Sequence, residues 1–280
     1  GNFNSTDYEI ILALIKAADG TQNSQQIANS VGFLASESET TYIPGFDQFS
    51  DQDNEFTFNS TTLVRDVNDS GFSVGTGEGF YSNLDYTLES GETVTFVLHD
   101  FGIRAFVNLG NTVVGLPAPM TSAGGISEAY GINESNQVIG YGSTLIVSDS
   151  LETSLVNCED EELRGDVPLE SCLNTIISSF TGSATSFAQL RGLVWQLDEQ
   201  GNLLDTKELG ILFEPDADDA SNYSSQAFAI NDNGIAVGVS NGQYTENDVT
   251  FFRNFAVIFN QDEIINITPE PDSNVARSSN

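Results

Sequence analysis

The chain is poor in positive charge and in the residue types on which nucleophilic and metal-dependent active sites rely. Its 280 residues include 8 Lys and Arg against 41 Asp and Glu, with one His and two Cys, and the formal net charge is −33. So acidic a surface repels phosphate, and we expect neither a nucleic-acid partner nor binding to anionic membranes. One His and two Cys that can pair leave too few groups for a Ser-His-Asp or Cys-His centre or a His-rich metal site. No apolar run reaches the roughly 18 residues that a membrane span needs.

What the chain has instead is a repeated phrase of two short apolar runs around a polar bend. It reads VRDVNDSGFSVGTG at 64–77, AYGINESNQVIGYGS at 129–143 and AFAINDNGIAVGVSN at 227–241. Glycine stands in two of the bends where a hairpin loop requires a positive φ, and Asn136 replaces it in the middle copy. Each copy therefore predicts a β-hairpin. The repeat positions to which we assign a structural role are Asn68, Gly71, Gly75, Asn133, Gly140, Asn231, Gly234 and Gly238.

A second repeated phrase follows each copy of the first. It reads RAFVNLGNTVVGLP from Arg104, RGLVWQLDEQGNLLDTKELG from Arg191 and RNFAVIFNQDEIINIT from Arg253. Apolar runs on both sides of a polar turn again predict a hairpin. In so acidic a chain, we expect these recurrent arginines to tie neighbouring repeats together through carboxylates or carbonyls, with an anion-binding ring as the alternative.

Two hairpins make a four-stranded unit, and its recurrence predicts the fold. We expect an all-β, β-propeller-like array of four-stranded antiparallel blades, because such units bury their faces only against neighbours. A β-sandwich or irregular barrel is the alternative. The repeat region is 64–280, and residues 1–63 carry strand-like runs that we expect to belong to the first blade. The letters ARSSN at 276–280 fit the Ala-x-x-x-Asn spacing of the first phrase, so we expect a further repeat to begin there.

The two phrases together resemble the extracellular HAF-repeat proteins. Those proteins carry His-Ala-Phe where this chain has Arg104-Ala105-Phe106 and related triplets at Arg191 and Arg253. The chain is also similar to a domain family of unknown function from marine gammaproteobacteria. This resemblance covers about residues 64–280, implies a bacterial protein that is secreted or displayed on the cell surface, and implies no established activity.

Residues 142–190 form the most distinctive insertion in the repeats. Cys158 and Cys172 bracket an acidic loop and are expected to form a disulfide, since an extracytoplasmic protein would oxidise such a pair; two buried reduced thiols are the alternative. We therefore expect an extracellular or cell-surface location, with the periplasm also open. Apolar residues at helical spacing predict a small helical insertion that docks on its own scaffold. They are Leu169, Cys172, Leu173, Ile176 and Ile177.

Two acidic clusters are candidate calcium sites, because carboxylate and carbonyl oxygens suit this hard cation. Neither has the spacing of a known calcium loop, so a solvated acidic surface is the competing interpretation. The candidate ligands are Asp51, Asp53, Glu55, Asp216, Asp218 and Asp219. We expect no other cofactor.

Long, variable connections between strands two and three and between strands four and one should emerge on one face of the array. Because binding residues are concentrated on such loops, we expect a non-catalytic protein that binds another protein or a glycan through this face. The first alternative is a structural subunit of a larger extracellular assembly, paired with a second copy or with the rest of a longer chain. The second is a carbohydrate-active enzyme that uses a carboxylate pair.

Overall fold

The computed structural model shows a mostly β protein built from several small antiparallel sheets. It describes residues 32–35, 40–43, 48–50, 57–59, 62–78, 81–99, 103–110, 112–180, 188–213, 223–246, 249–260 and 262–268. Two short hairpins come first among the described residues. They comprise β1 (Phe33–Ala35) with β2 (Thr40–Tyr42), and β3 (Gln48–Ser50) with β4 (Thr57–Asn59).

Three four-stranded sheets follow, each a meander of two hairpins. Sheet I contains β5 (Thr62–Val67), β6 (Ser73–Glu78), β9 (Ile103–Asn108) and β10 (Val113–Leu116), with the separate hairpin β7 (Tyr81–Thr87) and β8 (Thr93–His99) between β6 and β9. Sheet II contains β11 (Ser127–Ile132), β12 (Gln137–Val147), β13 (Ala188–Leu197) and β14 (Leu203–Glu208). Sheet III contains β15 (Ser225–Ile230), β16 (Ala236–Glu246), β17 (Val249–Asn260) and β18 (Glu263–Asn266).

The bend of each first hairpin has the backbone that its sequence requires. Gly71, Asn136 and Gly234 have φ values of 81°, 57° and 75°. The asparagine that opens each bend accepts a hydrogen bond from the N–H four residues later, which for Asn133 is the N–H of Gln137 at 2.9 Å. Because Asn closes the turn with its own side chain, all three bends form the same local structure.

A shared β-bulge explains the glycine in the second strand of each sheet. The register shifts between Val64 and Asp66 in β5, and equivalent shifts occur in β11 and β15. A Cβ added to Gly75, Gly140 or Gly238 would lie 2.0, 1.8 or 1.9 Å from a carbonyl oxygen on the neighbouring strand. Only glycine leaves room for the bulged strand at this approach.

The hydrophobic core lies between successive sheets. One cluster joins sheets I and II around Val107 and Trp195, and a second joins sheets II and III around Ile139 and Phe259. Trp195 is fully buried, and its Nε1 donates to the carbonyl of Pro117 at 2.7 Å. The three sheets therefore pack face against face along the chain, each burying its apolar residues against its neighbour.

Hydrogen bonds repeat at each junction between sheets. The Ser127 hydroxyl of sheet II accepts from the N–H of Ala105 at 2.9 Å and donates to the Leu116 carbonyl of sheet I. Ser225 of sheet III accepts in the same way from Gly192 at 3.0 Å and donates to the Gly210 carbonyl of sheet II. These buried hydroxyls link each sheet to the third strand of the sheet before it and to its fourth strand or the loop that follows.

The arginines at two junctions play the linking role that the sequence indicates. Arg104 donates through Nη1 to the carbonyl of Gly125, two residues before Ser127, and Arg191 donates to the carbonyl of Tyr223 at 3.3 Å. Arg253 does not occupy the same position. Arg104 and Arg191 pair with Gly77 and Gly142 on the second strands of their sheets. The residue of sheet III that corresponds to these two glycines is Ser240, and it pairs with Phe255. Arg253 pairs with Gly242, two residues further along the strand. The sequence alignment of Arg253 with Arg104 and Arg191 is therefore wrong by two residues, and Phe255 is their structural counterpart. The error arises because β16 and β17 continue to pair beyond the point where the other two sheets carry insertions.

The insertion of sheet II is helical, as expected, and is narrower than 142–190 because β12 and β13 extend into that range. It contains α1 (Asp149–Glu159), α2 (Glu161–Arg164) and α3 (Leu169–Phe180). Cys158 and Cys172 form a disulfide with their Cα atoms 5.7 Å apart, which joins α1 to α3.

Candidate functional site

All three sheets carry their most divergent structure at the connection between the second and third strands. Sheet I has the β7–β8 hairpin there, sheet II has the helices α1 to α3, and sheet III has a long two-stranded extension of β16 and β17. We call this side of the array the insertion edge. Neighbouring insertions touch, since the N–H of Glu89 donates to Oδ2 of Asp166 at 3.1 Å and α3 contacts β8. The insertions of sheets I and II thus form a joint surface.

The helical insertion is fixed to its scaffold by a small core of its own. Leu151, Cys158 and Ile176 are buried together with Ala123 and Ala188, which belong to the loop before β11 and to β13. Ser148 caps α1, and Arg164 donates to the carbonyls of Cys158 and Val167. Of the predicted apolar stripe, Cys172, Leu173 and Ile176 pack in this core, whereas Leu169 is 36% exposed and the side chain of Ile177 lies outside what the structure describes.

Large apolar side chains nevertheless remain exposed on the insertions. Leu145 at the end of β12 and Leu163 of α2 are 67% and 65% exposed, and Phe251 of β17 is 51% exposed. Five more apolar side chains on the insertions of sheets II and III are also exposed: Ile146, Val156, Val167, Val249 and Phe252. Where such groups are contiguous, they are typical of surfaces that bind other macromolecules.

A cavity of about 230 Å³ opens where sheets II and III meet. Both apolar and polar residues line it, among them Val239, Asn241 and Asn254. The Asn241 Oδ1 accepts from the Ser224 N–H at 2.6 Å, and the neighbouring Tyr223 packs edge-on against Phe252 at 5.2 Å between ring centroids. The cavity has room for a small group. The wall residues are Leu190, Ser224, Ser225, Gln226, Val239, Asn241 and Asn254.

A second polar cluster lies on the first two strands of sheet II, β11 and β12. Both Tyr130 and Tyr141 donate hydrogen bonds to the carboxylate of Glu128. Burial, followed by the hydrogen bond from the Tyr141 hydroxyl to Glu128 and the charge of that carboxylate, raises the pKa of Tyr141 well above its ordinary value. Burial and the negative charge of Glu128 likewise raise the pKa of Tyr130. Both phenols therefore act as neutral hydrogen-bond donors, and neither is set up as a base.

Tyr130 also forms part of a stack that crosses all three sheets. It occupies the bulge position of its strand, and Arg65 and Phe228 occupy the same position in sheets I and III. The Arg65 guanidinium lies 5.0 Å from the centre of the Tyr130 ring, and Phe228 contacts that ring edge-on at 5.3 Å. Sequence reasoning missed this stack. Its signal was that a bulky side chain follows the first Ala or Val in every copy of the first repeated phrase, namely Arg65, Tyr130 and Phe228.

Comparison with known proteins gives a family without a known activity. A family model described as "Protein of unknown function (DUF3466)" matches residues 1–275. The chain belongs to this family. No curated protein and no solved structure matches the chain. Function must therefore be argued from the residues themselves.

The predicted calcium ligands are not brought together by the described part of the structure. Asp51, Asp53, Glu55, Asp216, Asp218 and Asp219 lie outside the described residues. Within the described residues, no group of three or more His, Cys, Asp or Glu side chains could hold a metal ion. His99 lies in β8 opposite Tyr81. Calcium binding stays a prediction for the acidic clusters.

The described helices are also too short or too polar to cross a bilayer. The disulfide is the clearest indication of compartment, because such bonds form and persist in oxidising surroundings. It points away from the cytoplasm.

Proposed function

We propose that the chain is a non-catalytic binding module of a secreted or surface-displayed protein, and that it binds another protein through the insertion edge. The observation that carries this proposal is the set of exposed apolar side chains on the insertions, led by Leu145, Leu163 and Phe251. Their scaffold is held by buried hydroxyls, arginines and asparagines at each junction. Rigid sheets that display variable elements are a common design for recognition.

The proposed architecture is a propeller-like array. What supports this architecture is that the same hydrogen bonds occur at successive junctions between sheets. The same pattern also joins sheet I to the hairpin of β1 and β2. Thr62 of sheet I accepts from the N–H of Gly32 at 3.0 Å and donates to the carbonyl of Ile43, as Ser127 does with Ala105 and Leu116. Strands β1 and β2 thus take the place of the third and fourth strands of a sheet before sheet I. On this basis the described residues 32–35 and 40–43 contribute to a blade that precedes the first complete one.

A protein partner fits the insertion edge better than a glycan does. The exposed apolar groups there are aliphatic and phenylalanine side chains, which gain most from burial against another apolar surface, and they stand among exposed carboxylates such as those of Glu152 and Glu162. The formal charge of −33 favours a partner whose contact surface is neutral or basic, because like charges would slow association. The cavity between sheets II and III, with Asn241 and Asn254 in its wall, is a feature that favours a glycan.

The test places a photo-crosslinking amino acid at Phe251 in protein secreted by the source cells, with Leu204 of β14 as the matched control site. Leu204 is 65% exposed but lies away from the insertions. We expect one cross-linked protein at position 251 and none at 204. The affinity of the purified partner should fall at least tenfold with Phe251→Asp and stay unchanged with Leu204→Asp.

Two results would overturn the proposal. Cross-linking that is equal at the two positions would mean that the insertion edge is not the binding surface. Binding of a glycan that is lost with Asn254→Ala and kept with Phe251→Asp would move the function to the cavity between sheets II and III.

A further inference from the structure

One face of sheet III is open where the same faces of the other two sheets are buried. Val74 in sheet I and Ile139 in sheet II are fully buried, whereas Val237, their counterpart in sheet III, is 41% exposed. The end of the fourth strand shows the same contrast, because Leu116 is 2% exposed and its counterpart Ile267 is 48% exposed. We call this surface of sheet III the trailing face. It is built like a junction, and no further sheet follows it among the described residues.

The hairpin of β1 and β2 presents the opposite kind of face at the other end of the array. The Gly32 N–H donates to a hydroxyl of the following sheet, as the N–H groups of Ala105 and Gly192 do, so these three residues are equivalent. The next residue along the chain, Phe33, therefore corresponds to Leu193 of sheet II. This position faces the preceding sheet.

The complete sheets bury the side chain at this position. Leu193 of sheet II is fully buried in one core cluster with Val74 of sheet I. Val257, the counterpart of Leu193 in sheet III, is fully buried in the next cluster with Ile139 of sheet II. Each junction thus sets a residue of the third strand of one sheet into the same core as a residue of the second strand of the sheet before it.

The two end faces have complementary roles in such a junction, and both are open in the same chain. Phe33 and its pairing partner Tyr42 are 58% and 70% exposed, while Val237 is exposed at the far end of the array. The chain's own hairpin therefore does not cover the trailing face. Two different surfaces of one chain that fit each other favour head-to-tail association of copies.

The centres of both faces are uncharged, although each chain carries a formal charge of −33. Depletion of charged residues is typical of the core of a protein interface, and salt screens the repulsion that arises elsewhere on the surface. The described residues on the open side of the hairpin are Phe33, Ala35, Thr40 and Tyr42. The two central rows of the trailing face are Ala229, Val237, Ile258 and Ile265, and Gln226, Val239, Ala256 and Ile267.

Sheet III also makes by itself the hydrogen bond that a docking hairpin would leave unmade. At the junction of sheets I and II, the Ser127 hydroxyl on the first strand of sheet II accepts from the N–H of Ala105. The counterpart of this N–H in sheet III belongs to Ala256, and it donates to Oγ1 of Thr268 at 2.7 Å. Since β1 and β2 take the places of third and fourth strands, a docking hairpin does not need to bring a hydroxyl from a first strand.

We propose that the trailing face of one copy binds the hairpin of β1 and β2 of a second copy, so that chains associate head to tail. Phe33 of the second copy then packs on Val237, as Leu193 packs in the core with Val74 within the chain. Burial of apolar surface on both faces drives the contact. Residues 276–280, where the sequence predicts a further repeat, lie outside the described residues.

The experiment measures self-association of the 280-residue chain by sedimentation equilibrium. We expect oligomers that grow with concentration, and at least tenfold weaker association with Phe33→Asp or Val237→Asp. The matched control is Leu204→Asp, since Leu204 is 65% exposed in β14 and lies on neither end face. In 1 M salt, where charges are screened beyond about 3 Å, association of the unmodified chain should strengthen. Fluorescence of the buried Trp195 reports whether each variant is folded.

A mixture of the two variants tests the head-to-tail arrangement directly. Phe33→Asp keeps an intact trailing face, and Val237→Asp keeps an intact hairpin. Each variant alone should remain monomeric, whereas an equal mixture should form dimers and stop there, because the remaining two faces of the dimer are both substituted. Formation of the dimer also shows that both variants are folded.

Three results would overturn the proposal. The first is an unmodified chain that stays monomeric at millimolar concentration in the same high salt. The second is a mixture of the two variants that stays monomeric, because the two faces would then not bind each other. The third is association that neither substitution weakens, because another surface would then join the copies. Phe251→Asp on the insertion edge should leave self-association unchanged, so the outcome does not depend on the proposed function.

Discussion

Asn133 donates from its Nδ2 to the backbone carbonyl of Asn231, 3.0 Å away, and so joins the turn of sheet II to the turn of sheet III. Its Oδ1 at the same time accepts the N–H groups of Ser135 and Gln137 within its own turn. One side chain thus shapes the hairpin and connects it to its neighbour. This double role explains why Asn, and not Asp or Ser, stands at this position in every copy of the phrase.

We therefore expect Asn133→Ala to lower the free energy of unfolding by about 1–3 kcal/mol, because it leaves buried backbone groups without partners. Asn133→Asp should cost at least as much, since it loses the donor to the Asn231 carbonyl and to Gln137 Oε1 and places a buried carboxylate against that carbonyl. Urea denaturation of both variants is the measurement. Asn202→Ala, in an exposed turn where the side chain bonds only to Asp198, is the control and should change stability by less than about 0.5 kcal/mol. Equal effects at Asn133 and Asn202 would contradict the double role.

The bulge predicts a strong effect at the glycine opposite it. A Cβ at Gly238 would lie 1.9 Å from the carbonyl oxygen of Gln226, so Gly238→Ala should destabilise the protein by about 3 kcal/mol, at the upper end for overpacking. Gly131→Ala is the matched control, because its nearest side-chain neighbour, Ile139, would be 3.5 Å away. Thermal unfolding compares the two. A Gly238→Ala protein as stable as Gly131→Ala would show that the bulge can relax.

The hairpins could be predicted from the sequence because their determinants are local. An asparagine followed by a residue able to adopt positive φ fixes each bend wherever it occurs, as at Asn68 and Gly71. The register of Arg253 could not be predicted. The triplet Arg253-Asn254-Phe255 resembles the other two, but it lies two residues before the equivalent position, because β17 continues there without an insertion. The hydroxyl of Ser127 was equally hidden, because its partners, Ala105 and Leu116, belong to another sheet.

The two tyrosines on Glu128 predict a dependence of stability on pH. Their pKa values are raised in the folded protein, so the stability that they contribute is complete below about pH 10, where tyrosine ionises in the unfolded chain, and is lost as pH rises further. We expect the free energy of unfolding to fall from pH 9 to 11 more steeply in the unmodified protein than in Tyr141→Phe. Urea denaturation across this range tests the sign, and parallel curves would show that Tyr141 ionises normally.

The disulfide predicts a local effect. Replacement of Cys158 and Cys172 by serine opens a loop of 14 residues and should cost the helical insertion about 3 kcal/mol. Amide exchange should quicken in α1 and α3 and stay unchanged in sheet III, which makes no contact with the bond. Faster exchange throughout the chain would mean that the insertion supports the whole array.

The candidate surface was foreseen as a place but not as a set of residues. The alternation of short and long connections between strands indicates at which edge of the sheets the variable elements lie, because the order of the strands along the chain decides at which edge each connection emerges. Exposure of Leu145 or Phe251 depends on how far β12 and β17 extend past their neighbours, which their apolar sequence does not reveal. The cluster of Glu128 with Tyr130 and Tyr141 depends on pairing between strands and was likewise invisible.

The helical insertion leaves sheet II after Val147 and returns at Ala188, and these two residues face each other as a pair. Its ends are therefore as close together as the ends of a tight turn, and the corresponding strands of sheet III simply continue to pair from Ala236 to Glu246. Any element whose ends meet at this spacing can replace the helices without moving a strand. The position is a ready-made graft point, where new recognition elements can be exchanged while the repeat that carries them stays the same.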